Sequence, residues 1–366
     1  MEQVVLKLKS EQFYIYGGSH FGQALNTYLC QIGLKPKAIL DRCPKASHFD
    51  RTPCITFPAL KIEKKLPILV TILGFDGVYE SLNDYGFEEI IETLDVFSAF
   101  PKALEILNEC GVLWMQAPRE YQVDQVKCAQ LQSLWADRHS KETFDKIVNY
   151  RTTPCALYYP HPQRYEMYFP PDIPKLYDYL DLRVLDVGAF DGDTLDGFAR
   201  RFKDKVSDYV AIEVSEKNIQ KLNERLLSNF GVPVKVIRTA VGVPKGCSLK
   251  VVEMESATVV ELVDDKDSEE GSFVQSSNLG DLLHRFQSNI LKMDIEGADF
   301  AAIKQASDYI AKHLPTLALS LYHCPKDLWE IPLYIESIAP NTYNFYLRQE
   351  GHWLLETQFY AVPKFL

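Results

Sequence analysis

Twice in this chain of 366 residues a short apolar run breaks into a glycine-bearing turn and then into a helical pattern. Each time a carboxylate closes the next apolar run. The first instance is Phe13 to Tyr16, the turn Gly17 to Gly22, a helical stretch from about Gln23 to Ile32, and Lys37 to Leu40 ending at Asp41. The second is Arg183 to Val187, the turn Gly188 to Gly192, a helix starting near Asp193 and Thr194, and Asp208 to Glu213. Strand, tight turn, helix, parallel strand is the plan of a βαβ unit, and repeated alternation of this kind predicts doubly wound α/β sheets.

In the first unit Gly22 and Asp41 stand 19 residues apart, close to the ~20 of a ribose-binding carboxylate. Gly17, Gly18, Gly22 and Asp41 are therefore a candidate nucleotide site, with Ser19 where the fingerprint would have another glycine. The alternative is a Rossmann-like scaffold that binds nothing. The run Ile68 to Leu73 reads as a further buried strand.

About 150 residues per domain gives two or three domains. The patterns divide as a Rossmann-like α/β domain over 1–100, a helical and Pro/aromatic-rich connector over 101–180, and a larger α/β domain over 181–366. In the connector, Asp124 to Trp135 and Ser140 to Tyr150 carry helical spacing, with Ser140 in the cap region. The clusters Tyr158 to Pro162 and Tyr168 to Pro171 stop regular structure and offer either a hydrophobic latch or a substrate wall.

The third region continues with strands at Val234 to Arg238, Asn289 to Asp294 and Thr316 to Tyr322, and a terminal hairpin of Asn341 to Leu347 with Glu356 to Val362. Between its third and fourth strands the sequence reads as polar loop, with the charge run 264–270 a solvated tip. In such sheets ligands bind at the carboxyl ends of the strands. The first strand delivers Asp186, Gly188, Asp191 and Gly192 there. The second delivers Glu213, which lies 21 residues after Gly192 and is able to accept ribose hydroxyls. The turn lacks the lysine of a P-loop, which disfavours a nucleoside triphosphate. An acidic, glycine-turned pocket suits a ligand with a cationic centre.

Composition narrows the partners. Lys plus Arg is 39 and Asp plus Glu is 50, a formal net charge of -11. That argues against nucleic-acid and anionic-membrane binding, which need concentrated positive charge. No apolar window approaches a membrane span, and the first residues show no signal-peptide pattern. Eight cysteines without a CxxC pair read as reduced thiols, so the expected location is cytoplasmic.

The glycine turn and strand-end Glu213 resemble the motifs of class I S-adenosylmethionine-dependent methyltransferases. The run Lys292-Met293-Asp294-Ile295-Glu296-Gly297-Ala298-Asp299 resembles the Lys-x-Asp-x-Glu-Gly-Ala-Glu signature of the FkbM family, with Asp299 in place of the final Glu. Tyr322 to Pro332, Tyr346 to Arg348, and Glu356, Thr357 and Tyr360 are also similar to that family. Ser140, Phe144, Tyr150, Arg151 and Tyr168 to Pro170 look like two-domain members. Arg348 is followed by Gln349 and Glu350 rather than by the family's His and aromatic, a departure at the acceptor side.

The resemblance implies a class I methyltransferase sheet, S-adenosylmethionine as methyl donor, and O-methylation of a sugar, polysaccharide or natural product. It puts the donor on Asp186, Gly188, Ala189, Asp191, Gly192, Thr194, Glu213 and Ala240. For the chemistry, a base must take the proton of a weakly nucleophilic hydroxyl. His323, as a neutral imidazole, is the expected base, Asp294 its orienter or the anchor of the acceptor, and Lys292 and Glu296 partners in a charge network. Glu296 also reads as a helix-start acid and His323 as a core histidine. Asp294, Glu296 and His323 together could hold a divalent cation, although no metal is expected. The aromatics Tyr322, Trp329, Tyr343, Tyr346 and Tyr360 are candidates to stack on a sugar. The expected partner is a small-molecule or glycan acceptor, with a homo-oligomer left open. Two other classes stay open: a nucleotide- or NAD-dependent enzyme using the N-terminal turn, and a non-catalytic interaction protein.

Overall fold

Phe13–Tyr16 forms β1, with all four residues buried, as a strand covered on both faces requires. Around it in chain order come β2 (Pro36–Asp41), β3 (His48–Phe49), β4 (Thr52–Thr56), β5 (Ile68–Val70) and β6 (Ile90–Ile91), in the spatial order β3-β4-β2-β1-β5-β6. All pairings are parallel except β3 with β4. The helix His20–Gln31 starts three residues earlier than its pattern suggests. Tyr14, Tyr16, Leu40, Val70, Leu82 and Phe87 form the core on one side of this sheet, each contributing about 1.5–3 kcal/mol by its burial.

This is a computed structural model. It describes residues 5, 7–9, 12–59, 61–72, 74–75, 77–100, 102–109, 123–153, 155–227, 231–253, 258–262 and 271–366. The expected loop tip at 264–270 lies outside them. The chain divides into two compact units, residues 1–123 with 145–160, and residues 124–144 with 161–366. The stretch expected as a separate connector is thus shared between the two. Among the described residues no helix is long and apolar enough to cross a membrane.

The second unit contains β7 (Leu182–Val187), β8 (Val206–Glu213), β9 (Val234–Arg238), β10 (Ser248–Glu253), β11 (Thr258–Leu262), β12 (Ser272–Gln275), β13 (Ile290–Met293), β14 (Thr316–Ser320), β15 (Tyr343–Gln349) and β16 (Thr357–Pro363). Seven of these make one sheet in the order β15-β16-β14-β13-β7-β8-β9. The run β14 to β9 is parallel, and β15 and β16 are an antiparallel hairpin at one edge. The order reverses between β7 and β13, which is where such a sheet opens a crevice.

The stretch read as polar loop before β13 carries a separate antiparallel sheet, β11-β10-β12. Leu249, Val251 and Val274 bury its apolar side. Its strands are short and mix charged with apolar residues, so their period of two was masked by the acidic run.

Ser140 is also not a cap. It is the third residue of the helix Arg138–Thr152, and Asp137 accepts its backbone N–H at 2.7 Å. The Ser140 hydroxyl instead accepts from Leu347 N–H and from Arg348 Nη1, each at 2.9 Å. Arg348 is fully buried and lies 2.7 Å from Asp137 and 3.0 Å from Asp172. Burial pushes the Asp137 carboxyl up, but Arg348 and Ser140 outweigh it and hold it low. The two residues that depart from the family pattern are likewise built into the frame. Gln349 donates to the carbonyls of Gly351 and Leu355. Glu350 accepts from Tyr165 and Tyr360 hydroxyls and from the Tyr168 N–H.

Candidate functional site

The turn after β7 is shaped by contact with the end of β13. Gly188 has φ +76, and a Cβ there would lie 1.8 Å from the carbonyl oxygen of Asp294. Asp294 N–H in turn donates to Val187 O at 2.9 Å. Only glycine allows the two strand ends to meet this closely. Two residues on, Phe190 is left-handed at φ +48 and half exposed, and its N–H donates to Glu213 Oε2 at 2.9 Å. Glu213 Oε1 accepts from Val214 and Ser215 N–H at 2.9 and 2.8 Å. A carboxylate has about four acceptor positions. Three are used by backbone, so Glu213 has one left for a ligand hydroxyl. Burial raises its pKa, against the pull of these N–H groups.

A cavity of about 760 Å³ opens at these strand ends, within the range of small-molecule clefts. Of the residues expected at a site, Gly188, Glu213, Ala240, Lys292, Asp294 and Glu296 line it. The others do different work. Asp186 is fully buried, 3.0 Å from Lys292 Nζ, and accepts from Tyr209 at 2.5 Å. Asp191 pairs with Arg225 at 2.9 Å. Ala189 is buried in the core. Gly192, at φ +87, caps the helix Asp193–Phe202, and Thr194 is buried in that helix. These five hold the turn in shape and do not face the cavity.

Lys292 is both floor and frame. Its Nζ donates to Gly188 O at 2.6 Å and lies 5.1 Å from the centre of the Tyr168 ring. Burial works against its charge, but Asp186 and Asp294 outweigh it and keep the ammonium protonated.

His323 is not a neutral base. Its Nε2 is 3.0 Å from Asp294 and 3.5 Å from Glu296, and its Nδ1 is 2.9 Å from Asp299. Burial opposes the charge, yet Asp299 and Asp294 outweigh it and raise the imidazole well above its usual value. The Asp299 carboxylate also accepts from Gly297 N–H at 3.1 Å, which ties the signature turn to the histidine. With its imidazole enclosed by three carboxylates, His323 is not a free proton acceptor. Among the described residues no His, Cys, Asp and Glu group has metal-holding geometry.

The linkage sign follows from the raised pKa. The stability His323 contributes is fully present below about pH 6.5 and is lost as pH rises through its folded value. His323→Gln is expected to cost about 2 kcal/mol at pH 6, and less at pH 9. Urea unfolding of both proteins at the two pH values measures this. A gap that does not narrow contradicts the charged imidazole.

Tyr168, Tyr322 and Glu356 line the cavity and were not among the expected catalytic or donor-binding residues. Tyr168 donates to Asp294 Oδ2 at 2.9 Å. The Tyr322 hydroxyl lies 3.3 Å from both Asp294 Oδ1 and Glu356 Oε1. The Tyr-Phe-Pro-Pro cluster is thus wall and latch at once: Tyr168 faces the cavity, while Phe169 packs on Phe198 with ring centres 5.1 Å apart. For Glu356 the signal is an acid immediately before the last strand, Thr357–Pro363. Of the five stacking candidates only Tyr322 lines the cavity. Trp329 is buried in the helix Asp327–Ile338, Tyr343 and Tyr360 donate to Pro315 O and Glu350, and Tyr346 packs in the core.

In the N-terminal unit, Gly17 has φ +114, and a Cβ on Gly22 would lie 2.0 Å from Gly17 O. Gly18 N–H donates to Asp41 at 2.6 Å, and Cys43 N–H to its other oxygen at 2.8 Å. The structure brings these four residues together as the spacing predicts, with Asp41 bracing the turn.

A seven-stranded doubly wound sheet with its cavity at the reversal of strand order is the class I methyltransferase fold. Residues 186–356 match the methyltransferase FkbM domain. The fold is similar to the crystal structure of methyltransferase FkbM from Methylobacillus flagellatus KT, with a TM-score of 0.58 and 20% identity over 99% of this chain and 92% of that one. Aeropyrum pernix fibrillarin, solved with natively bound S-adenosyl-L-methionine, overlaps at TM-score 0.30 and 8% identity over 50% of this chain and 68% of that one. A SAM-dependent methyltransferase from Aquifex aeolicus overlaps at TM-score 0.28 and 15% identity over 66% and 98%. No curated protein matches.

Proposed function

We propose that the chain is an S-adenosylmethionine-dependent O-methyltransferase acting on a hydroxyl of a sugar, polysaccharide or natural product. The observation that carries this reading is the composition of the cavity wall. Glu213 keeps one acceptor position open at the end of β8, and Asp294 stays ionised at the end of β13. Burial pushes the Asp294 carboxyl up, but His323, Lys292 and the Tyr168 hydroxyl outweigh it and hold it well below the usual range. A ribose hydroxyl fits the first, and a cationic centre fits the second.

When bound, S-adenosylmethionine supplies an electrophilic methyl on a sulfonium. The chain supplies a fixed frame in which Lys292 and Gly188 hold the two strand ends together and Asp294 presents negative charge without reorganising. A small-molecule or glycan acceptor and a cytoplasmic location belong to the same reading, supported by the acidic composition and the cysteine spacing.

Calorimetry with S-adenosylmethionine, S-adenosylhomocysteine and NAD tests it. Both sulfur compounds are expected to bind, and Glu213→Gln to weaken them about 10-fold or more, the size of a lost charged hydrogen bond. If neither sulfur compound binds at millimolar concentration, the reading fails.

A further inference from the structure

Five carboxylates line the cavity. Asp193 opens the helix after β7 and accepts from Thr194 N–H; the other four sit at strand ends, and three of those are already committed. Glu213 is held by three backbone N–H groups. Asp294 faces His323, Tyr168 and Tyr322. Glu296 lies 3.5 Å from His323. Glu356 is the fourth. It sits at φ +55 just before β16, in the hairpin that closes the sheet, and lines the cavity. Its contacts are neutral groups: the Tyr322 hydroxyl at 3.3 Å and Gln358 Nε2 at 3.1 Å.

We propose that Glu356 is the proton acceptor of this site: it gives up its own proton when a sulfonium donor enters, and then takes the proton of the acceptor hydroxyl. The inference rests on the donor reading above. In the step, an oxygen lone pair of the hydroxyl forms the new C–O bond and the C–S bonding pair returns to sulfur. The hydroxyl proton ends on Glu356, and the positive charge leaves the sulfur.

The surroundings set the starting state. Asp294 faces Glu356 from the end of β13, Tyr322 and His323 from the end of β14, and Glu350 from the hairpin itself. Burial first, and then the Asp294 charge, push the Glu356 carboxyl up to about 8, against the opposing pull of His323. At pH 7 the carboxyl is therefore mostly protonated. A cation brought into the cavity favours the ionised form and lowers the pKa by about 1–3 units. Donor binding thereby arms the base, and the product, with its uncharged sulfur, does not.

The test needs no acceptor. Titration calorimetry at pH 7 in two buffers of different ionisation enthalpy counts protons released per ligand bound. S-Adenosylmethionine is expected to release about half a proton or more beyond S-adenosylhomocysteine, and Glu356→Gln to abolish that excess. Glu350→Gln, which removes a buried carboxyl outside the cavity lining, is expected to keep it. Equal proton release by the two ligands in the wild-type protein overturns the proposal even if the variant fails to fold. So does an excess that survives Glu356→Gln and disappears in Glu296→Gln. If neither ligand binds, the donor reading itself has failed, which is a different result from binding with equal proton balance.

Discussion

Lys292→Met is expected to destabilise the second unit by about 3–5 kcal/mol, the cost of leaving one partner of a buried ion pair alone. Asp186 is fully buried, and its neighbours are the Lys292 ammonium at 3.0 Å and the Tyr209 hydroxyl at 2.5 Å. Methionine matches the stem of lysine in volume, so little of the loss comes from packing. The ammonium also holds Gly188 O at 2.6 Å, so the turn loosens with it. Thermal melting reads the effect as a midpoint lowered by about 10 °C or more. Asp186→Asn placed in the same protein removes the uncompensated charge while keeping an oxygen for Tyr209, and is expected to recover a large part of the loss. If Lys292→Met melts within a degree or two of wild type, the ion pair is not what ties β7 to β13.

Gly188→Ala is expected to damage both fold and binding. The added Cβ falls 1.8 Å from a backbone oxygen, which no rotamer change relieves. The φ of +76 adds about 1–2 kcal/mol for any residue with a Cβ, and overpacking about 1–3 more. Because β7 and β13 must separate, Phe190 N–H moves away from Glu213, and the open acceptor position of that carboxylate moves as well. A melt lowered by several degrees, with S-adenosylmethionine affinity reduced at least 10-fold in the fraction still folded, is the expected pair of results. Gly192→Ala is the contrast. Its nearest atoms are the flexible Arg225 and Leu222 side chains at 3.4 Å, so it carries φ strain without a backbone clash and leaves the cavity wall in place.

Most strands of both large sheets are legible in the sequence because buried parallel strands are short continuous apolar runs. Phe13–Tyr16 and Thr316–Ser320 fall where the runs do. The small sheet β10 to β12 is not legible, since its strands are short, mix polar with apolar residues and flank an acidic run in the sequence. The sequence points to Ser140 as the start of the helix Arg138–Thr152 because a serine caps well in isolation, whereas Asp137 caps it instead and has a second partner, the buried Arg348, that only long-range contact supplies.

By itself the sequence determined the two doubly wound sheets, the glycine turns and the acids at the strand ends. Each of these is local: apolar period, turn chemistry and spacing follow from residues within a few positions of one another. The tertiary structure alone decided which acids face the cavity and in what charge state. Asp186 and Glu213 look alike in sequence, each near a strand end. One is buried against Lys292, and the other keeps an acceptor position open. His323 reads as a neutral base until Asp294, Glu296 and Asp299 are brought around it, and Glu356 reads as the start of a strand until the hairpin carries it beside Asp294. A carboxylate's pKa depends on burial and on charges within a few ångströms, and those distances are set by strand register and turn packing rather than by position along the chain.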